Sequence, residues 1–150
     1  MDDRAAIYRV RHDVYARELG QHRTNGAGYL RDSLDERNEY IVAKTEGELA
    51  GFVSITPPGR GTYSVDKYFS RDQLPFAFDG GLYEVRLLTV LPAYRGSGAA
   101  ALLMYAALRW IEAHGGTIQK MLRILAEAVG TPQLGAAPLG ISVQARRSTV

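Results

Sequence analysis

The stretch YEVRLLTVLPAYRGSGAAALLMYAALRW, residues 83–110, decides the fold. It predicts a buried strand over residues 84–91, a glycine-bearing turn over 92–99, and an amphipathic helix from Ala100 to about His114. A strand that turns directly into a helix leaves several backbone N–H groups unpaired at one point, where the helix dipole also favours negative charge. The stretch therefore predicts a cradle for a diphosphate.

Residues of the turn suit such an anion. Gly96 and Gly98 can adopt a positive φ and have no Cβ to block a ligand, while Arg95 adds a cation that can bind phosphate oxygens in a forked geometry. A plain strand-to-helix connection is the alternative, because short glycine motifs also match by chance. The glycines are not followed by a Lys-Ser/Thr pair, so the turn is not a Walker loop.

Composition limits the function classes. The chain has 150 residues and is expected to form one domain, 1–150. It has no cysteine, and its three histidines lack paired ligand spacing, so no metal site is expected. The net charge of +2 suits an anionic ligand, but the basic residues are too scattered for a nucleic-acid partner. Without a signal peptide or membrane span, the expected location is cytoplasmic.

The remaining chain predicts a mixture of helix and strand. An amphipathic helix over residues 5–19 ends at Gly20, and a polar loop follows over 21–38. Two β-rich runs, 39–45 and 49–56, form a hairpin. The pattern over 118–129 is helical, and residues 141–145 predict a short final strand. Phe76 and Phe78 are assigned to core packing, with pocket lining as the alternative.

The turn reads Arg-x-x-Gly-x-Ala, with Arg95, Gly98 and Ala100 at the specified positions. This pattern resembles the coenzyme A signature of the GCN5-related N-acetyltransferase (GNAT) superfamily. The resemblance implies an α/β (α+β) fold with a central mixed, mostly antiparallel sheet flanked by helices. It also implies that acyl-CoA is the co-substrate and is bound by the signature strand and turn, through Leu88, Thr89, Val90, Arg95, Gly96, Ser97, Gly98, Ala99 and Ala100.

Positions outside the signature resemble one branch of that superfamily, the acyl-homoserine-lactone autoinducer synthases and the related long-chain N-acyl amino acid synthases. These are Tyr8-Arg9-x-Arg11-x-x-Val14-Tyr15 in the first helix, Asp32-x-x-Asp35, and Glu84 at the head of the signature strand. The resemblance implies that Glu84 is the catalytic base. It further implies a substrate-binding set of Arg11, Tyr15, Asp32, Asp35 and Arg86.

Each of these residues also has a structural interpretation. Arg11 and Tyr15 could be a solvated charge and a rim aromatic on an amphipathic helix. Asp32 and Asp35 could cap a turn or solubilise a loop. Glu84 could be a strand-end carboxylate that is paired with Arg86 or Arg11.

The chain departs from the family after the signature helix. The fold requires a strand there, splayed from the signature strand, but residues 114–117 lead directly into a helical pattern. We therefore expect that strand to be missing or shortened, unless residues 116–122 form it. An unpaired edge promotes association, so a partner chain or a distorted sheet could cover it, and a homodimer is one arrangement open to this chain.

The resemblance implies an N-acyltransferase that moves an acyl group from acyl-CoA or acyl carrier protein to the amine of an amino acid-like small molecule. No tyrosine follows Tyr105, so the late tyrosine acid of many GNAT enzymes is absent or replaced. The alternative is a catalytically impaired CoA-binding or interaction module of the same fold. A nucleic-acid module is the weakest hypothesis, because the positive charge is spread along the chain.

Overall fold

The computed structural model describes residues 3–59, 61–74 and 77–116, together with the backbone of 142–146. The chain divides into two compact units, Met1–Asp35 and Glu36–Val150. Within the described ranges, no helix combines the length and apolar character that crossing a membrane requires. The single domain over 1–150 stays a prediction.

The first unit is built on one helix. Helix α1, Asp3–Arg11, continues as a π-helical segment over His12–Glu18. The helix predicted over residues 5–19 is confirmed, but its second half is wider than an α-helix. Gly20 follows it with a φ of 64°. The π-form is rare in proteins and is frequent at functional sites.

The second unit contains a four-stranded sheet. Its strands are β1 Glu39–Thr45, β2 Glu48–Thr56, β3 Glu84–Val90 and β4 Ser142–Arg146. They lie in the order β3-β2-β1-β4, and every neighbouring pair is antiparallel. The predicted hairpin is confirmed, and the predicted final strand is shifted by one residue.

One face of this sheet packs against helix α2, Ala99–Ala113. Leu103, Ala107 and Ile111 recur at every fourth position and are fully buried, as expected for the core stripe of a helix. They pack on alternate residues of the three consecutive strands. These strand residues are Ile41, Ala43, Val53, Ile55 and Val85.

The opposite face of the sheet carries a buried polar row. Because side chains alternate along a strand, the residues between the core positions point away from α2. Thr56 lies opposite Glu84 in the β2–β3 ladder, and the Thr56 hydroxyl donates to Asn38 Oδ1 at 2.7 Å. Ser54 lies opposite Arg86 in the same ladder. Thr56, Glu84, Asn38 and Ser54 are all buried, so polar groups are concentrated on this face.

The chain between β2 and β3 contains two short 3-10 turns, Ser64–Lys67 and Arg71–Gln73. Tyr63 is buried, and Phe78 packs edge to face against it with 5.5 Å between the ring centroids. Phe78 itself is half-buried, and the core role predicted for it stays a prediction, whereas Phe76 lies outside the described residues.

Several expectations for the end of the chain also lie outside the described residues. They are the strand considered over 116–122 and the helix over 118–129. Within the described part, β3 pairs with β2 on one side and with no strand on the other. The observed final strand lies at the far edge, beside β1.

Replacing Gly51 with alanine should destabilise the sheet. A Cβ at this position would lie 2.7 Å from the Thr89 carbonyl oxygen and 3.1 Å from Leu103 Cδ1. Because the first of these neighbours is backbone, we expect a loss of about 2 kcal/mol in the free energy of unfolding, measured by urea denaturation. Gly80→Ala is the matched control, since its Cβ would meet nothing within 4 Å. Equal stability of the two variants would contradict the close approach of β2 and β3.

Candidate active site

The pairing of strands β2 and β3 is interrupted by one β-bulge. Two residues of β3, Leu87 and Leu88, lie opposite the single residue Val53 of β2. Leu87 takes a φ of 56°, in the left-handed region. That conformation costs a residue with a Cβ about 1–2 kcal/mol. A bulge of this kind bends the strand and is frequent beside active sites, so the strain points to function.

The bulge also changes which side chains face α2. Before it, Val85 packs into the core beneath the helix, and Glu84 points to the opposite face. After it, Leu88 and Val90 pack against that same core, and Thr89 lies opposite Phe52 on the polar face. Strict alternation without the extra residue would place Thr89 against α2. The bulge thus keeps Leu88 and Val90 on the side of the sheet that packs against α2.

The outer edge of β3 presents backbone groups. The Leu91 N–H donates to the Ala50 carbonyl of β2 at 2.9 Å. Because backbone groups alternate along a strand, the N–H and C=O of Val90 point to the other side. There, Arg95 Nε donates to the Val90 carbonyl at 3.3 Å. No strand among the described residues pairs along this side.

The N–H groups of the turn after β3 fall into two sets. Those of Arg95 and Ser97 close turns onto earlier carbonyl oxygens, and that of Ala99 makes a long contact of 3.4 Å with Ser97 Oγ. The second set has no hydrogen bond to any described residue, as is usual for the first N–H groups of a helix. It consists of Gly96, Gly98, Ala100 and Ala101.

Two residues of this turn have left-handed backbone. Gly96 and Gly98 both have a φ of 81°, and Gly98 directly precedes the first residue of α2. Any residue with a Cβ would be strained here by about 1–2 kcal/mol. Turns of this type direct successive N–H groups into one concavity, which suits an anion. That this turn binds a diphosphate stays a prediction.

Glu84 is only 4% exposed, so its carboxylate needs partners. Ser64 supplies them: its backbone N–H lies 3.0 Å from each carboxylate oxygen, and its hydroxyl donates to Oε1. No arginine among the described residues pairs with this carboxylate, and the ion pair considered above is not formed there. Ser64 was missed at the sequence level, because nothing in the sequence links a loop serine to a strand residue 20 positions away.

Arg86 follows Glu84 on the same face of β3 and is half-buried, opposite Ser54. Alternation places its side chain with that of Glu84 on the polar face. The roles of Glu84 and Arg86 stay predictions. No group of three or more His, Asp or Glu side chains that could hold a metal occurs among the described residues.

The first unit holds a separate charged cluster. Arg11 Nη1 lies 2.7 and 2.8 Å from the two carboxylate oxygens of Asp35, and Nη2 lies 3.2 Å from Asp32. The Asp32 N–H also donates to Asp35, and Arg4 donates to the Asp35 carbonyl at 2.7 Å. The predicted residues Arg11, Asp32 and Asp35 are thus brought together.

Burial separates the members of this cluster. Arg11 is 3% exposed and the Asp35 side chain is 0% exposed, whereas the Asp32 side chain is 27% exposed. Tyr15 is half-buried. Arg11 is therefore not the solvated charge that the helix pattern allowed. The Arg11–Asp35 pair closes the loop onto the helix, and Asp32 is its more accessible carboxylate. That these residues bind an acceptor stays a prediction.

The sequence comparison identifies the family. The model of the Acetyltransferase (GNAT) family matches residues 5–137. This chain belongs to that family. The predicted resemblance is confirmed, and the family makes the protein an N-acyltransferase. No curated protein matches the chain.

Solved structures share the GNAT fold. A CoA-dependent acyl-homoserine lactone synthase, BjaI, with SAM and isopentyl-CoA is 18% identical, with a TM-score of 0.64. The match covers 93% of this chain and 72% of that one. TofI, in a ternary complex with an inhibitor and MTA, is 17% identical, with a TM-score of 0.61 and coverage of 95% and 81%. These matches confirm the predicted fold.

Replacing Asp35 with alanine should strongly destabilise the protein. The change removes both contacts of Arg11 Nη1 with the buried carboxylate, and removing one partner of a buried pair costs about 3–5 kcal/mol in unfolding free energy. Urea denaturation measures this loss. Asp13→Ala is the control, because Asp13 pairs with Arg17 on the surface, where such pairs contribute at most about 1 kcal/mol. A loss at Asp35 as small as that at Asp13 would contradict a buried pair.

Proposed function

We propose that this GNAT enzyme transfers an acyl group from acyl-CoA to the amine of an amino acid-like small molecule. The observation that carries the proposal is a set of N–H groups at the start of α2 that hydrogen-bond to no described residue, after a strand whose outer edge pairs with no described strand. Four such donors come from Gly96, Gly98, Ala100 and Ala101. Donors in this arrangement bind phosphate oxygens, and the helix dipole adds to their effect.

The donor molecule would extend from this cradle along β3. Its pyrophosphate binds the turn of Gly96, Ser97 and Gly98 and the first residues of α2, with Arg95 as an added cation. Its pantetheine arm adds to the open edge of β3 as an extra strand would, next to Leu88, Thr89 and Val90. Backbone hydrogen bonds supply affinity in such strand addition. Acyl carrier protein is a second donor to be tested, because it carries the same arm.

The reaction would proceed by direct attack. Glu84 takes a proton from the acceptor ammonium, directly or through one water, and the free amine nitrogen then bonds to the thioester carbonyl carbon. A backbone N–H of Leu88 or Val90 donates to the oxyanion of the tetrahedral intermediate. The carbon–sulfur bond breaks as the carbonyl reforms, and a second proton is lost from nitrogen. The products are an amide and the CoA thiolate, which takes up a proton from solvent.

The acceptor class rests on the resemblance and on the charges of the predicted binding set, Arg11, Tyr15, Asp32, Asp35 and Arg86. Carboxylates can hold an ammonium group, and arginine can hold a carboxylate, so an amino acid moiety suits such a set. Of the two carboxylates that Arg11 contacts, Asp32 is the one with exposed surface. SAM is the first acceptor to test, because BjaI was solved with it; free amino acids form the second panel.

The proposed function is tested by thiol release. The protein is incubated with acyl-CoA of several chain lengths, or with acylated carrier protein, and with each acceptor. Free thiol and the amide product are then measured. Acceptor-dependent release of both supports the proposal. Thermal stabilisation by CoA without thiol release would instead identify a catalytically impaired binding module. If CoA does not stabilise the protein and no thiol is released, both the transferase and the binding module are overturned.

Replacing Arg95 with glutamine should weaken CoA binding. One charge-assisted hydrogen bond to phosphate is worth about 1.5–3 kcal/mol, so we expect the dissociation constant to rise about tenfold or more. Isothermal titration calorimetry with CoA measures it. Arg109→Gln is the matched control, because Arg109 is exposed on α2 and pairs there with Glu112 at 2.6 Å. An equal effect of both changes would indicate general charge attraction and no specific contact.

Replacing Glu84 with glutamine should remove the proposed base and keep the size and shape of the side chain. We expect kcat to fall by about 100-fold or more, which is the usual contribution of a general base. CoA affinity should not change, because the cradle lies at the other end of β3. Glu48→Gln, at an exposed position of β2, is the control. Full activity of Glu84→Gln would show that the amine loses its proton elsewhere.

A further inference from the structure

We propose that Ser64 is a positioning residue for Glu84. Its hydrogen bonds leave Oε2 of that carboxylate as the atom that receives the proton of the amine. The inference rests on the proposed function, in which Glu84 is the base. It adds a residue that neither the family signature nor the sequence pattern indicated.

The hydrogen bonds to Glu84 are unequal on its two oxygens. Oε1 accepts from both the N–H and the hydroxyl of Ser64, whereas Oε2 accepts from the N–H alone. An ionised carboxylate has about four acceptor positions, two on each oxygen. Ser64 therefore occupies Oε1 and leaves capacity on Oε2. A proton that arrives from an amine or a water meets Oε2 as the available base.

Ser64 is held in place by the turn that it begins. The Tyr63 N–H donates to Asp66 at 2.8 Å, which closes the 3-10 turn Ser64–Lys67. Arg71 binds both oxygens of Asp66, at 2.8 and 2.7 Å. That hydrogen bonding from Arg71 is the main cause that lowers the pKa of Asp66 below its ordinary value of 3.8. The turn is thus fastened by an ionised carboxylate at neutral pH.

The same turn is anchored to the entry of β3. The Tyr63 hydroxyl donates to the Leu82 carbonyl at 3.1 Å, two residues before Glu84. Arg71 also lies over the ring of Tyr63, 5.5 Å from its centroid. Burial raises the pKa of the Tyr63 phenol above its ordinary value of 10.0, so it stays a neutral donor. Ser64 and Glu84 therefore lie on segments that are hydrogen-bonded to each other. This contact holds the carboxylate within the narrow range of positions that catalysis requires.

The test compares Ser64→Ala with Ser64→Thr. Alanine removes the hydroxyl and keeps the N–H, and threonine restores a hydroxyl. We expect kcat of Ser64→Ala to fall about tenfold, because a hydrogen bond to a charged group is worth about 1.5–3 kcal/mol. KM for acyl-CoA should stay the same, and threonine should recover most of kcat. In a Glu84→Gln background, Ser64→Ala should cost nothing further, since residues that act as a unit are not additive.

Ser70→Ala is the control for these changes, because Ser70 is an exposed serine of the same loop. It should leave kcat unchanged. Unaltered CoA affinity of Ser64→Ala shows that the variant is folded. An unchanged kcat of Ser64→Ala, or an equal loss in wild-type and Glu84→Gln backgrounds, would overturn the inference.

A second readout does not require turnover. The carboxyl carbon of Glu84 is followed by NMR in protein labelled with carbon-13 glutamate, and its signal is assigned by its absence from Glu84→Gln. A hydrogen bond to a carboxylate oxygen changes the electronic environment of the carboxyl carbon, so Ser64→Ala should shift this signal at constant pH, and Ser70→Ala should leave it in place. An unshifted signal overturns the inference. A shifted signal without thiol release by wild-type protein supports the Ser64–Glu84 pairing and overturns the proposed function.

Discussion

The pairing of two β3 residues with one residue of β2 is the constraint on which the candidate site depends. The ladder is regular on either side of the irregularity, so Leu87 is held in its left-handed conformation from both ends. Beyond the bulge, Gly51 allows β2 to approach the Thr89 carbonyl closely. This close contact lies just before β3 ends and the glycine turn begins.

The strain at the bulge is small beside the burial that it permits. The left-handed conformation of Leu87 costs about 1–2 kcal/mol. Full burial of an apolar side chain of this size contributes about 1.5–3 kcal/mol. Leu88 and Val90 are both partly buried against the core, and without the extra residue they would face the polar side. Two partly buried side chains are therefore enough to offset the strain, and Glu84 keeps its place on the opposite face.

The sequence predicts what depends on local pattern and misses what depends on long-range contact. The hairpin, β3, α2 and the glycine turn were predicted within a residue or so, because their periods and turn residues are local signals. The run from Leu87 to Val90 is uniformly apolar except for Thr89, so no period reveals its bulge. The π-helical segment keeps the apolar spacing of an α-helix. Ser64 reaches Glu84 only through the folded loop, which no local pattern encodes.

The two fully or nearly buried carboxylates described in the chain are stabilised in different ways. Both carboxylate oxygens of Asp35 contact Nη1 of Arg11, and this buried ion pair joins the loop to the helix within the first unit. Among the described residues, Glu84 accepts hydrogen bonds only from the neutral donors of Ser64. In a site of low dielectric constant, an uncompensated carboxylate attracts an ammonium group strongly. The same feature would draw a protonated amine acceptor towards Glu84 and then remove its proton. In the proposed reaction, this difference assigns the base to Glu84 and a structural part to Asp35.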